Sequence, residues 1–282
     1  MIFFSPAKIN LFFRVLEKKD DGYHEIASLY QAINLGDTLH VELSDQDELT
    51  CTHSLLTTND SNLVLKAARL FRQKTALPIY AKIHLDKQIP MEAGLGGGSS
   101  NAATTLWALN FLSGSPVSSH DLALWGRELG SDVSFFFSRG SAYCTGRGEK
   151  FDSLKDFFLP IAGKLWIAKP IYGLSTPVVY QACRPSLFPL RDPKEALSCF
   201  LKGQPHYFND LEIPAFHLMP QLASLKQNLI DLGFSSVTLT GSGTAFFCFA
   251  PPSLIPELPG IEFYETHPIS REDHLWYKTP QI

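Results

Sequence analysis

Residues 79–85 alternate, with apolar Ile79, Ala81, Ile83 and Leu85 separated by Tyr80, Lys82 and His84. A period of two predicts a strand with one face toward solvent. Near the start, residues 7–15 form another apolar run, and a polar turn, Lys18-Lys19-Asp20-Asp21-Gly22, separates it from a second run through Ile26, Leu29 and Ile33. An early sheet with a hairpin-like connection is expected there. The spacing changes after Asp60-Ser61-Asn62, where Leu63, Val64, Ala67, Leu70 and Phe71 recur at helical intervals behind a cap. Residues 101–109 read as a helix, and another starts at Ser118 or Ser119 and runs to Gly130. In the second half, residues 164–168 read as strand, and 193–201 and 220–232 as helices, the latter stopped by Gly233. Residues 234–239 and 245–250 read as two strands joined by Thr240-Gly241-Ser242-Gly243.

The turn-rich, charged stretch from Gly146-Arg147-Gly148-Glu149-Lys150 to Pro160 predicts a boundary near residues 150–160, dividing the chain into domains 1–155 and 156–282. A length of 282 residues suits two compact domains and also allows one large one. Residues 232–256 are uncharged and long enough to span a membrane. Gly233, Gly241, Gly243, Pro251 and Pro252 among many hydroxyls make that stretch strand and turn instead. The net charge of −4 argues against nucleic acid as a partner, because such binding needs a basic face. The five cysteines are scattered without a C-x-x-C pair and read as reduced, mostly packed thiols. The opening Met1-Ile2-Phe3-Phe4-Ser5-Pro6 lacks the pattern of a secretory leader, so a cytoplasmic location is expected.

Chemistry concentrates in Pro90-Met91-Glu92-Ala93-Gly94-Leu95-Gly96-Gly97-Gly98-Ser99-Ser100, which runs into the helix-forming segment from Asn101. Glycine lets a backbone approach an anion closely, and a helix start adds unpaired N–H groups and the positive dipole end. The plainer reading is a flexible turn before a helix. No Lys follows the glycines as a Walker A loop requires, and Ser99 stands where a dinucleotide fingerprint starting at Gly94 needs its third glycine. Strand, glycine loop and helix therefore follow in order, outside both commoner patterns.

Three further segments depart from packing logic. In Ser5-Pro6-Ala7-Lys8-Ile9-Asn10, Lys8 and Asn10 lie two apart and share one face of a strand, although a strand lysine is ordinarily solvated. Asp132 follows the helix-ending Gly130 and precedes Phe135-Phe136-Phe137, a position that also suits a cap. Thr240-Gly241-Ser242-Gly243 is most simply a tight strand connection.

Together, the N-terminal Pro-Ala-Lys-Ile-Asn-Leu, the glycine loop and Thr240-Gly241-Ser242-Gly243 match, in order and spacing, the three motifs of the GHMP small-molecule kinases. The resemblance spans nearly the whole chain. Within that family, Asp21-Gly22-Tyr23-His24-Glu25 and the run from Gly94 to Ala103 most resemble members that phosphorylate the tertiary 2-hydroxyl of a cytidyl diphosphate-linked methylerythritol, in the non-mevalonate isoprenoid route. The implied fold is α+β with two domains. The first is like the second domain of ribosomal protein S5, the second is ferredoxin-like, and the site lies in the cleft between them. The resemblance further implies ATP with Mg²⁺, a small-molecule acceptor, and no nucleic-acid or membrane partner.

Lys8 and Asp132 match the family's catalytic pair. A carboxylate with a reference pKa of about 3.9 is a weak base toward an alcohol, so Lys8 is expected to stabilise the developing alkoxide and balance the γ-phosphoryl charge. Residues 90–100 are expected to hold the triphosphate, with Ser99 or Ser100 donating to phosphate or meeting Mg²⁺, and Asn62 and Lys87 fall where the family lines its adenine pocket. For the acceptor, His24 offers a cytosine reader, Tyr23 and Tyr180 offer aromatic faces, and Asn10 and Thr176 suit the methylerythritol end. One departure is Ser134, where many relatives carry proline after the Asp-Val pair. The competing readings are a kinase of mevalonate, homoserine or a sugar, and a nucleotide-binding regulator without catalysis.

Overall fold

A computed structural model of the chain describes residues 1–155, 157, 159, 163–251 and 253–278. The first half runs β1 (Ile2–Lys18), β2 (His24–Ser44), β3 (Glu48–Cys51), α1 (Leu63–Thr75), β4 (Tyr80–Asp86), α2 (Gly97–Leu112), α3 (Ser119–Leu129), β5 (Ser141–Gly146) and β6 (Lys150–Ser153). The second runs β7 (Lys164–Pro170), α4 (Thr176–Ala182), α5 (Pro193–Leu201), β8 (Phe208–Asn209), α6 (Glu212–Leu218), α7 (Pro220–Asp231), β9 (Ser235–Leu239), β10 (Phe246–Ala250) and β11 (Ile261–Thr266).

The periodic segments form as their patterns dictate. In β4, Ala81, Ile83 and Leu85 are buried while Lys82 and His84 face solvent. Asn62 caps α1 by accepting from the Val64 N–H at 2.9 Å, and Ser118 caps α3 by accepting from the Asp121 N–H at 3.1 Å. Residues 232–256 contain the paired strands β9 and β10, and no helix among the described residues is long and apolar enough to cross a membrane. The stretch 150–160, where a boundary is expected, takes in β6 and the start of its connection to β7, in which residues 156, 158 and 160–162 lie outside the described residues.

One sheet has the order β3-β4-β2-β1-β8, with β5 pairing β2 and β6 pairing β5. The antiparallel β1–β2 pair carries register shifts at Pro6/Ala7 and Asn10/Phe12, so bulges flank Lys8 and Asn10. A bulge adds twist and re-aims the side chains beside it. The second sheet, β11-β7-β10-β9, is antiparallel and has the strand order of a ferredoxin-like fold. Its departure from that fold is the β10–β11 connection, which carries no helix among the described residues.

Strand β1 is buried from Phe3 to Val15 because both its faces are covered. Phe3 and Phe4 join the core beneath α1, α2 and α3, whereas Ala7, Ile9, Leu11 and Phe12 pack with Leu165, Ile167 and Phe247 of the second sheet. A strand covered on both sides needs a continuous apolar run, which is what residues 7–15 supply apart from Lys8, Asn10 and Arg14. Those three polar residues are then forced to find partners inside the protein.

Candidate active site

A cleft of about 870 Å³ opens between the two sheets. It is lined by Lys8, Tyr23, His24, Asn62, Lys87, Asp132, Thr176, Tyr180, Gly241 and Ser242 together with residues 90–99. Four of the sequence-expected residues stand behind its wall instead: Asn10, Ser100, Thr240 and Gly243.

Lys8 is only 2 % exposed, contrary to the ordinary fate of a strand lysine. Its ammonium donates to Asn10 Oδ1 at 2.8 Å, lies 3.5 Å from Asp132 Oδ2 and sits 5.0 Å from the centroid of the Tyr30 ring. The Tyr30 hydroxyl donates to Asp132 Oδ1 at 3.0 Å. Burial, reinforced by the Asp132 charge, holds the Tyr30 phenol far above its usual range, so it remains a donor. Asn10 is fully buried and works as a bracket. Its Nδ2 donates to Ser28 Oγ at 3.0 Å and its backbone N–H to Thr240 Oγ1 at 3.1 Å.

Asp132 projects from the turn between α3 and a 3-10 turn at Ser134–Phe137. The buried Ser134 hydroxyl donates to the Glu149 carbonyl at 2.8 Å. That bond ties the Asp132 turn to the β5–β6 connection. In the connection, Gly148 has φ 110°, and a Cβ there would lie 3.1 Å from the Tyr30 hydroxyl and 3.4 Å from Asp132 Oδ1.

The glycine loop and the C-terminal glycine motif interlock. A Cβ on Gly94 would lie 2.0 Å from the Thr240 carbonyl oxygen, and one on Gly243 would lie 2.1 Å from the Gly94 nitrogen. The Thr244 and Ala245 N–H groups donate to the Glu92 and Ala93 carbonyls at 3.3 and 3.2 Å. The Thr240–Gly243 turn is therefore more than a strand connection, since it is the surface on which the loop lies.

The helix begins at Gly97, four residues before its expected start. Gly96 supplies the left-handed cap at φ 71°, and the Ser100 N–H closes the first turn on the Gly96 carbonyl at 2.9 Å. Gly97, Gly98 and Ser99 thus become first-turn residues, whose N–H groups have no partner within the helix. The two serines separate. Ser99 is half-buried on the cleft with no hydroxyl partner among the described residues, whereas the Ser100 hydroxyl is buried and accepts from Ser5 Oγ at 2.8 Å.

Asn62 and Lys87 reach the cleft with their polar atoms largely engaged. Besides capping α1, Asn62 donates to the Thr57 carbonyl at 2.6 Å. The Lys87 ammonium donates to Asp37 Oδ2 at 2.8 Å and to Oδ1 at 3.0 Å.

At the opposite end His24 is 6 % exposed and its ring centroid lies 5.3 Å from that of Tyr180. Its Nε2 is buried without a hydrogen-bond partner among the described residues. Burial, then the Lys18 charge, holds the imidazole pKa below its ordinary value. Tyr23 is half exposed, with the Arg147 guanidinium 4.6 Å from its ring centroid. The Thr176 and Ser242 hydroxyls are 2.7 Å apart, joining α4 to the C-terminal glycine motif.

Residue type did not single out Tyr30, Gly148, Asp37 or Arg147. Tyr30 sits in an apolar run and reads as core, and nothing local reports that its hydroxyl meets a carboxylate 102 residues away. Asp37 in Leu35-Gly36-Asp37 resembles a turn aspartate. Among the described residues no group of three or more His, Cys, Asp or Glu could hold a metal ion, and all five cysteines are free.

A family model described as the GHMP kinases N terminal domain matches residues 62–140. A protein of Protochlamydia amoebophila (strain UWE25) named 4-diphosphocytidyl-2-C-methyl-D-erythritol kinase is 50 % identical over 279 residues, covering 98 % of this chain and 92 % of its own. The chain belongs to the GHMP kinases, in the 4-diphosphocytidyl-2-C-methyl-D-erythritol kinase branch. A chloroplastic/chromoplastic member of that branch from Solanum lycopersicum is 40 % identical, over 98 % of this chain and 73 % of its own. A crystal structure titled 4-(cytidine 5'-diphospho)-2C-methyl-D-erythritol kinase superposes with a TM-score of 0.74 at 37 % identity, covering 89 % of this chain and 90 % of the other. The α+β architecture expected from the motifs is that of the family.

Proposed function

We propose that this kinase transfers the γ-phosphoryl group of ATP to the tertiary 2-hydroxyl of 4-diphosphocytidyl-2-C-methyl-D-erythritol, giving the 2-phosphate and ADP in the non-mevalonate isoprenoid pathway. The observation that carries the reading is the Lys8–Asp132 pair, at 3.5 Å, in a cleft bordered by the glycine loop on one side and the buried His24 ring on the other. The interlocked glycines and the free N–H groups at the start of α2 support a triphosphate site there. His24, Tyr180 and Tyr23 support a cytosine site, with Thr176 at its border.

Asp132 Oδ1 is occupied by the Tyr30 hydroxyl, which leaves Oδ2, beside Lys8, for the acceptor hydroxyl. The new bond joins the acceptor oxygen to the γ-phosphorus. The bond from that phosphorus to the bridging oxygen breaks, ADP departs with the electron pair, and the hydroxyl proton passes to Asp132. Proton transfer comes late in a loose phosphoryl-transfer transition state, so a carboxylate suffices as base when Lys8 lowers the cost of the alkoxide. Asn10 fixes the Lys8 ammonium and serves the methylerythritol end through it.

Magnesium fits a site of this kind. The unpartnered Ser99 hydroxyl, which lines the cleft, would be the side chain to hold the ion, and a nucleotide would supply most of its other ligands. When bound, Mg²⁺ neutralises charge on the β- and γ-phosphates. The same proposal divides the chain into domains 1–155 and 156–282 and puts the enzyme in the cytoplasm, with five unpaired cysteines supporting a reducing compartment.

The test is ADP release on incubation with ATP, Mg²⁺ and the cytidyl substrate. Asp132→Asn and Lys8→Ala should each lower kcat by about two orders of magnitude or more while ATP still binds. Wild-type turnover in both variants would remove the assigned pair. Turnover of homoserine or mevalonate, with none of the cytidyl substrate, would replace the acceptor.

A further inference from the structure

Behind the glycine loop lies a buried polar cluster that the proposed reaction does not use. Asp37, on β2, is wholly buried. Its Oδ1 accepts from the Gln88 N–H at 2.8 Å, the Ile89 N–H at 2.7 Å and Lys87 Nζ at 3.0 Å. Its Oδ2 accepts from Lys87 Nζ and from Asn101 Nδ2, at 2.8 and 2.9 Å. The Lys87 ammonium also donates to the Ile89 carbonyl, and Asn101 Nδ2 also reaches Ser5 Oγ at 2.9 Å. Three separate pieces of chain therefore meet on one carboxylate: β2, the residues just before Pro90, and the second turn of α2.

The Lys87 ammonium is directly behind the cradle, 3.2 Å from where a Cβ on Gly97 would lie. Its three protons have Asp37 and Ile89 as acceptors, so its donors are spent within the protein. Burial pulls its pKa down and the neighbouring Asp37 charge pushes it back up. A carboxylate below a triphosphate site repels the ligand by charge, and a favourable contribution from Asp37 to nucleotide binding has to come through geometry.

We infer that Asp37 is a positioning residue for the nucleotide loop, holding Lys87 and the two amides before Pro90 so that the Lys87 ammonium braces the cradle from behind and does not grip the phosphates. This rests on the kinase reading above. Without its partner, the ammonium is a buried unpaired cation that draws the 87–89 segment, and the loop after it, out of place.

Steady-state kinetics with ATP and the cytidyl substrate tests the inference in Asp37→Asn, Lys87→Gln and the double variant. Asp37→Asn should raise KM for ATP about tenfold and leave KM for the acceptor within about twofold. The double variant replaces the ion pair with a neutral amide pair, and should return KM for ATP to within about threefold of the wild type. A fall in KM for ATP in Asp37→Asn would mean that freed Lys87 grips the nucleotide, and overturns the inference. An equal loss in Lys87→Gln and the double variant overturns it too. Should Asp37→Asn fail to fold, Asn101→Ala removes one bond to Asp37 and keeps the ion pair. It should raise KM for ATP alone, and an equal rise for both substrates counts against the inference. Absence of wild-type turnover would strike the kinase reading instead, and binding of a fluorescent ATP analogue to the same variants then makes the same comparison.

Discussion

His24 brings to the cleft a buried ring nitrogen with no partner among the described residues. Leaving such a group unpaired costs about 1–3 kcal/mol, and a ligand that pairs with it recovers that energy. His24→Ala should therefore raise KM for the cytidyl substrate roughly tenfold to a hundredfold and leave KM for ATP near the wild type. Equal effects on both would remove the cytosine-reader assignment. The same residue sets a pH dependence. Burial lowers its pKa from the ordinary 6.5, so the ring stays neutral in the folded protein when the unfolded chain has begun to take up a proton. Its contribution to stability is complete above 6.5 and is lost as pH falls through the depressed folded value. Substrate affinity should follow the folded value, holding steady through 6.5 and weakening only as pH falls through the depressed value, as a pH series of acceptor KM at saturating ATP would report.

At the scale of elements, the two glycine motifs make one structure because neither tolerates a Cβ against the other. Gly243→Ala sets a methyl 2.1 Å from backbone atoms of Ala93 and Gly94, which cannot move aside as a side chain can. The variant should lose about 1–3 kcal/mol of stability and shift the loop, raising KM for ATP and lowering kcat together. An unchanged melting temperature with unchanged kinetics would contradict the interlock. Both motifs were legible in the sequence, but their contact was not, since local pattern carries no information about partners 149 residues apart, as Gly94 and Gly243 are. The same limit explains which elements were visible. Strand β4 and helix α1 have an exposed and a buried face, so their periods show. Helix α2 is buried through Ala102, Ala103, Leu106, Ala108 and Leu109, and its start at Gly97 is hidden in the sequence because glycines in a first turn look like loop. Strand β8, two residues long, and helix α4, seven residues long, are too short for any period to emerge.

For the whole molecule, the deciding fact is that chain order and spatial order differ. Strand β8, from the second half of the chain, joins the first sheet beside β1 at Phe12 and Phe13. After β11 the chain returns to the first sheet, where the Ile269 N–H donates to the Ala32 carbonyl at 2.9 Å and Trp276 Nε1 to the Phe4 carbonyl at 2.8 Å. Arg271, buried between them, donates to the Ser138 carbonyl at 2.9 Å and also to that of Phe137, five residues past Asp132. Its guanidinium lies 5.3 Å from the ring centroids of both Trp107 and Trp276, which stack on each other at 5.2 Å. The second half thus supports the turn that carries the base, and the two sheets should unfold together. Far-UV and near-UV melts of the wild type should coincide in one transition, with two separated transitions denying the coupling. Trp276→Ala leaves a cavity in this seam and should cost about 3–5 kcal/mol, lowering the melting temperature by roughly 6–15 °C. If the seam also holds the Asp132 turn, kcat should fall in this variant at temperatures where it is still fully folded, while KM for ATP stays constant. A lower melting temperature with an unaltered kcat would limit the tail to a stabilising role.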